Sequence, residues 1–194
     1  KESKLSLGIG SYGKQDIHIV HNQPLSDNLS FRLGISKNND TGFIYNNYIN
    51  DYSNKRDELV SNAKLAWNKH FKSGDRLNIL LNSFYYDLNN SYDRWSSTNF
   101  DNFNDFTSYS DFEGLSNNKS KDALSGDSQS FEINYKKMDS YKLISIITIN
   151  NITLNHDYDG DWSNPDDWGE YYYPFSQSET RKRDEYSFET KISN

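Results

Sequence analysis

The chain has 194 residues with 21 Lys and Arg against 28 Asp and Glu, a formal net charge of -7, so it carries no electrostatic footprint for nucleic acid. It has no Cys, which removes disulfides, thiolate chemistry and Cys-based zinc sites, and no run of about 18 apolar residues that would make a membrane-spanning helix. Aromatics are abundant (15 Tyr, 11 Phe, 4 Trp) although mean hydropathy is -0.98, a combination that puts aromatics on sheet faces and polar residues in loops.

The sequence opens at Lys1-Glu2-Ser3-Lys4-Leu5, already in a strand pattern with no leader and no initiating Met, and is read as a mature chain or a fragment. A first strand is predicted over about Lys4 to Ser11, with Leu5, Leu7 and Ile9 on one face. A tight connection through Gly13 and Lys14 leads to a second over about Asp16 to Asn22, and the turn Gln23 to Asn28 to a third ending at Lys37. In Leu29-Ser30-Phe31-Arg32-Leu33-Gly34-Ile35-Ser36 the odd positions are all apolar and the even ones are not, which places the two sets on opposite faces of a sheet.

A longer connection, Asn38 to about Arg56, precedes a fourth strand that runs to Asn68 with Leu59, Ala63, Leu65 and Trp67. After the turn at Lys72 to Asp75, a fifth runs from Arg76 to Leu88 with Leu77, Ile79, Leu81 and Tyr85 on one face. A loop from Asn89 to about Gly126 leads to a sixth carrying Phe131, Ile133 and Tyr135. The turn at Met138 to Ser140 gives way to a seventh, Tyr141 to Asn155, apolar on both faces at its centre. A second long loop, Asp157 to Lys182, precedes an eighth with Tyr186, Phe188 and Ile192.

Segments of about ten residues with this alternation mark a transmembrane β-barrel, although a soluble sheet with one wet face has the same alternation. Two features favour the barrel. After the first connection, short and long links alternate strictly, as when one rim is trimmed and the other elaborated. Trp67 and Tyr135 lie by short turns, Tyr85 and Tyr186 by long loops, the distribution of interfacial girdles. The expected fold is therefore all-β: an antiparallel up-and-down transmembrane barrel, with residues 1–194 as one partial domain.

Three runs carry a family resemblance: Gly8-Ile9-Gly10-Ser11-Tyr12-Gly13, then Gln23-Pro24-Leu25-Ser26-Asp27-Asn28-Leu29-Ser30-Phe31-Arg32-Leu33, then Asp40-Thr41-Gly42-Phe43-Ile44-Tyr45-Asn46. With Arg56 to Trp67 and a strand ending in Tyr86-Asp87, this ordered set resembles the start of the barrel in TonB-dependent outer-membrane receptors. The resemblance implies a barrel of about 22 strands around a plug, of which this chain would supply about eight, without plug or TonB box. It also implies residence in the bacterial outer membrane, lipid and the TonB complex as partners (the latter through the missing plug), and import of a siderophore, haem, cobalamin or glycan. Eight strands alone keep open edges that lipid does not tolerate, so the resemblance makes the chain a piece of a longer receptor.

Candidate binding residues lie in the long loops: Trp95, Phe100 and Phe103 in the first, Trp162, Trp168 and Tyr171 in the second. Aromatics among polar neighbours suit capture of an amphipathic small molecule or metal chelate, and equally suit packing of the loops on one another. Asp157, Asp159 and Asp161 alternate around Gly160 and can offer oxygen ligands to calcium, but position 12 counted from Asp157 is Trp168 where an EF-hand has Glu, so an acidic solvated loop is the competing reading. No other cofactor is expected. His18 and His21, three apart in a strand, face opposite sides and cannot share a metal. No phosphate loop, nucleophile elbow or HExxH is present, so no enzyme is expected. The alternatives to the receptor are a soluble or surface-attached β-sandwich that binds glycans through loop aromatics, and a glycosidase-like enzyme with acidic loop residues.

Overall fold

A computed structural model of the chain describes residues 1–91, 113–161, 164–168, 170 and 173–194. Eight long strands form one sheet: β1 (Glu2–Ile9), β2 (Gln15–Pro24), β3 (Leu29–Asp40), β6 (Arg56–His70), β7 (Arg76–Asn90), β9 (Lys121–Lys136), β10 (Lys142–Asp159) and β11 (Ser176–Ser193), hydrogen-bonded in that order. Every neighbouring pair is antiparallel, so the chain meanders up and down. Three short strands, β4 (Ile44–Asn46), β5 (Asp51–Ser53) and β8 (Glu113–Gly114), build a separate small sheet in the order β5-β4-β8, with β4 and β8 parallel. One helical turn, α1 (Pro165–Trp168), lies between β10 and β11. The large sheet does not close: β1 and β11 are its two edges.

Turn chemistry sets the register. Between β1 and β2, Tyr12 and Gly13 have φ of 58° and 67° and Lys14 N donates to Ser11 O at 3.2 Å. Two successive positive φ values make the turn whose twist matches a hairpin. Asp75 stitches two further turns side by side. Its Oδ1 accepts from Met138 N at 2.9 Å, its Oδ2 from Tyr135 Oη at 3.2 Å and Ser73 Oγ at 2.9 Å. These bonds, the one from Met138 N first, hold its carboxyl below the usual range.

All eight predicted strands are present in the predicted order, but the connections are shorter than the alternation implies. β7 continues to Asn90 and β9 begins at Lys121, so Lys121 to Gly126 belongs to a strand and not to the loop. β10 continues to Asp159 and β11 begins at Ser176, so the second loop loses residues at both ends. The connection after β3 holds β4 and β5. These extensions lie beyond the apolar band and are mostly polar, Ala123 and Leu124 aside, so period 2 leaves no clear trace.

Candidate functional site

Directly paired residues share a face in an antiparallel sheet, so the register assigns every side chain. One face carries Leu5, Leu7, Ile17, Ile19, the odd positions of β3 from Leu29 to Ile35, Leu65, Trp67, Leu77, Ile79, Leu81, Phe131, Ile133, Leu143, Ile147, Ile149, Phe188 and Ile192. The doubtful seventh strand is thereby oriented: Leu143, Ile147 and Ile149 join this apolar face, while Ile144, Ile146 and Ile152 point the other way. Tyr85 and Tyr186 end the apolar band towards the long connections. Trp67, Tyr135 and Tyr141 end it towards the short turns, the two Tyr rings 6.1 Å apart and edge-on.

The band runs obliquely across the strands. The rung that starts at Leu7 passes through Ile17, Lys37, Leu59, Asp87, Ser125 and Thr153 to Lys182; it begins apolar and ends charged. The upper limit of the band moves from Ile9 in β1, through Ile35 in β3, to Ile149 and Tyr186 in β10 and β11, with Leu59 left above it. Averaged over the sheet the drift is about one residue per strand. At ~3.3 Å per residue and ~4.8 Å between strands it inclines the band by about 30 to 35° to the rungs.

The opposite face is mostly polar, with Ile144, Ile146, Ile152, Leu80 and Phe84 among its side chains, and amide and hydroxyl pairs form a ladder on it. Asn62 Nδ2 donates to Asn82 Oδ1 at 3.0 Å, Ser128 Oγ to Asn150 Oδ1 at 2.6 Å, Asn78 Nδ2 to Asn68 Oδ1 at 2.7 Å and Asn90 Nδ2 to Glu58 Oε1 at 2.9 Å. Tyr86 breaks the run by crossing the backbone at Gly126: a Cβ there would stand 2.7 Å from the Tyr86 hydroxyl and 2.4 Å from the Asn151 carbonyl. His18 lies on this face and His21 on the apolar one, so they share no metal. His21 Nδ1 instead meets Ser3 Oγ at 2.8 Å.

The long connections gather over one end of the sheet as a cap. Asn46, at the end of β4, is 4% exposed. Its Nδ2 donates to Ser116 O at 2.8 Å while its Oδ1 accepts from Tyr48 N and Ile49 N at 3.0 and 3.2 Å. Asn164, 2% exposed, repeats the device: Nδ2 donates to Leu115 O at 2.8 Å and Oδ1 accepts from Asp166 N at 3.0 Å. Asp159, at the end of β10, is 6% exposed. It accepts from Ser116 Oγ at 2.5 Å and from Asp161 N at 3.2 Å. Burial first, and the neighbouring Asp161 charge after it, push its carboxyl above the usual range, with the Ser116 bond opposing. On the other wall Lys55 Nζ and Lys119 Nζ reach Asp51 Oδ2 at 2.9 and 3.3 Å. The Lys55 bond is the main cause that holds Asp51 low. Between these groups, with Tyr52 and Tyr158, is a cavity of about 90 Å³.

Of the residues singled out from sequence, Trp95, Phe100, Phe103, Trp162 and Tyr171 lie outside the described residues, and so does the side chain of Trp168. Asp157 stays in β10, opposite Lys121 and Ser178. Asp159 goes to Ser116, and Asp161 Oδ2 accepts from Phe175 N at 2.9 Å. The three carboxylates are not gathered: among the described residues no group of three or more acidic, His or Cys side chains is placed to hold a metal ion. Asn46, Ser116, Asn164 and Lys55 escaped the sequence reading. Their only local signal is that Asn favours side-chain bonds to the backbone two or three residues on. Comparisons with protein-family models, with curated proteins and with solved structures return no match.

Proposed function

We propose that this chain is part of the wall of an outer-membrane import receptor of the TonB-dependent type, with its apolar band in lipid, its polar face towards the lumen and its cap outside the cell. The oblique band carries the reading. Barrel strands tilt by about 35 to 45° from the axis, so a horizontal lipid layer must cut a barrel sheet obliquely, by nearly the inclination found here. The aromatic limits of the band and the concentration of elaborate connections at one end agree with it. So does an apolar hollow of about 470 Å³ on the banded face, where Ala63 and Ser83 sit low among Phe31, Leu65, Leu81 and Phe131 and an acyl chain fits.

A β-sandwich whose second sheet crosses at about -30° would also ask for an oblique stripe. It would also bury that stripe, and no second layer covers it among the described residues. Here Ile44 and Ala123 are the only buried apolar side chains among the described residues, and Leu7, Ile9 and Phe188 are 70, 92 and 71% exposed. Further strands beyond β1 and β11 would complete the wall, and the cargo in this reading is a scarce nutrient such as a ferric siderophore. The test is fractionation of cells that express the full-length protein, with a gel shift on heating as the sign of an intact barrel. Recovery with the outer membrane and a heat-dependent shift are expected; recovery in the soluble fraction without detergent overturns the reading.

A further inference from the structure

The two turns that join β6 to β7 and β9 to β10 carry a charge opposite to that of the chain. Residues 69–76 and 136–142 hold Lys69, Lys72, Arg76, Lys136, Lys137 and Lys142 against Asp75 and Asp139, in a chain of net charge -7. The register concentrates part of that charge. His70 pairs with Arg76, Arg76 with Lys136, and Lys136 with Lys142, so three cations and a histidine occupy consecutive places on one rung of the polar face. Like charges directly opposite one another destabilise a sheet, and no ion pair with a described residue relieves any of the four. Asp75 is turned to the other side, on Met138 N, Tyr135 and Ser73. Glu132, two rungs along the same face, accepts from Asn134 Nδ2.

We infer that this row is a docking site for an acidic, extended polypeptide segment laid across the four strands on the polar face. A groove of about 220 Å³ runs along it, lined by His70, Arg76, Lys136 and Lys142 with the amides of Asn78 and Asn134, and no carboxylate lines it. Four places ~4.8 Å apart make a row of about 14 Å, which one phosphate group does not span and an extended segment of about five residues does. Carboxylates on alternate residues stand about 6.6 Å apart, so two of them centred on the row fall one between His70 and Arg76 and one between Lys136 and Lys142. Side-chain amides on the next rung suit a peptide backbone, and the row lies on the face away from the apolar band, which separates it from a lipid headgroup.

The test uses purified full-length protein and a fluorescein-labelled peptide of alternating Asp and Ser, about eight residues long, read by fluorescence anisotropy. The peptide should bind at about 50 mM salt and weaken steeply towards about 300 mM. Its Asn-for-Asp counterpart should not bind. The triple variant Arg76→Gln, Lys136→Gln, Lys142→Gln should lose about tenfold or more in affinity, yet unfold at the same or a higher temperature, because like-charge contacts are gone. The inference is overturned if the triple variant binds the peptide within about twofold of the unaltered protein. It is equally overturned if the substitutions weaken binding of inorganic phosphate or of phosphatidylglycerol vesicles and leave peptide binding unchanged.

Discussion

Leu80 and Leu81 are adjacent in β7 and chemically identical, yet the register sends them to opposite faces. Leu81 pairs with Leu65 and Phe131 at the middle of the apolar band; Leu80 pairs with Ala66 and Glu132 on the polar face. If the apolar band lies in lipid as proposed, arginine at position 81 would enter hydrocarbon near mid-depth, at a cost of about 2 to 4 kcal/mol, falling to about 0 to 1 kcal/mol near either interface. Leu77, beside Tyr135 at one limit of the band, should tolerate Arg much better than Leu81 does. Arginine at position 80 meets the Glu132 carboxylate and stays in a polar setting, with an expected change within about 1 kcal/mol. The assay is reversible unfolding of the full-length protein in urea from lipid vesicles, followed by Trp fluorescence. Equal costs at 80 and 81 would refute the assignment of faces. A cost at 81 with no relief at 77 would keep the faces and refute the membrane, since a protein core has no depth gradient.

Single Cys residues meet no competing thiol within residues 1–194: Tyr173→Cys, at a site 76% exposed in the long connection, should react with an impermeant maleimide on intact cells beyond the level of the unaltered protein, and Ser73→Cys should do so only after lysis. Asn164 and Ser116 are unsuitable for this purpose because both are bonded into the cap. Gly126→Ala should destabilise the sheet by about 1 to 3 kcal/mol, seen as a lower urea midpoint, because the added Cβ meets a backbone carbonyl that cannot turn aside. For Asp159 the sign follows from a folded carboxyl raised above its ordinary value: its ionisation opposes the folded cap at neutral pH, and the penalty is relieved as pH falls through the raised value. Hydrogen exchange of the amides of 114–118 should slow as pH falls from neutral towards the ordinary carboxylate range, after correction for intrinsic rates, and Asp159→Asn should remove that trend; a trend of the same size in the variant would assign it to another group. Deleting residues 99–110, short of β8 and Ser116, should leave assembly intact and lower uptake of the native ligand; unchanged uptake would place recognition elsewhere.

What the sequence makes legible follows from which forces leave a period. Lipid or any apolar phase acts on every second residue, so Leu29 to Ile35 and Leu77 to Leu81 declare both strand and face. Above the band that force is absent. Lys121 to Gly126 and Ser176 to Lys182 are held by backbone pairing, which any polar sequence can make, and by scattered side-chain contacts such as Thr180 with Asn155 and Asp122 with His156, which leave no period, so they read as loop. The cap is harder still. Asn46 and Gly114 meet through the parallel β4–β8 pairing, and Asp159 is buried by Ser116, 43 positions away; such contacts depend on single short polar side chains, with no pattern around them. Asp159 was legible as an oxygen ligand and illegible as a buried acid, because burial is a property of what covers it. The basic row falls between these cases. His70 with Arg76 and Lys136 with Lys142 follow from the lengths of their own hairpin turns, but Arg76 with Lys136 needs β7 beside β9 across a long connection. The sequence displays two basic hairpin ends, and only the order of strands makes them one surface.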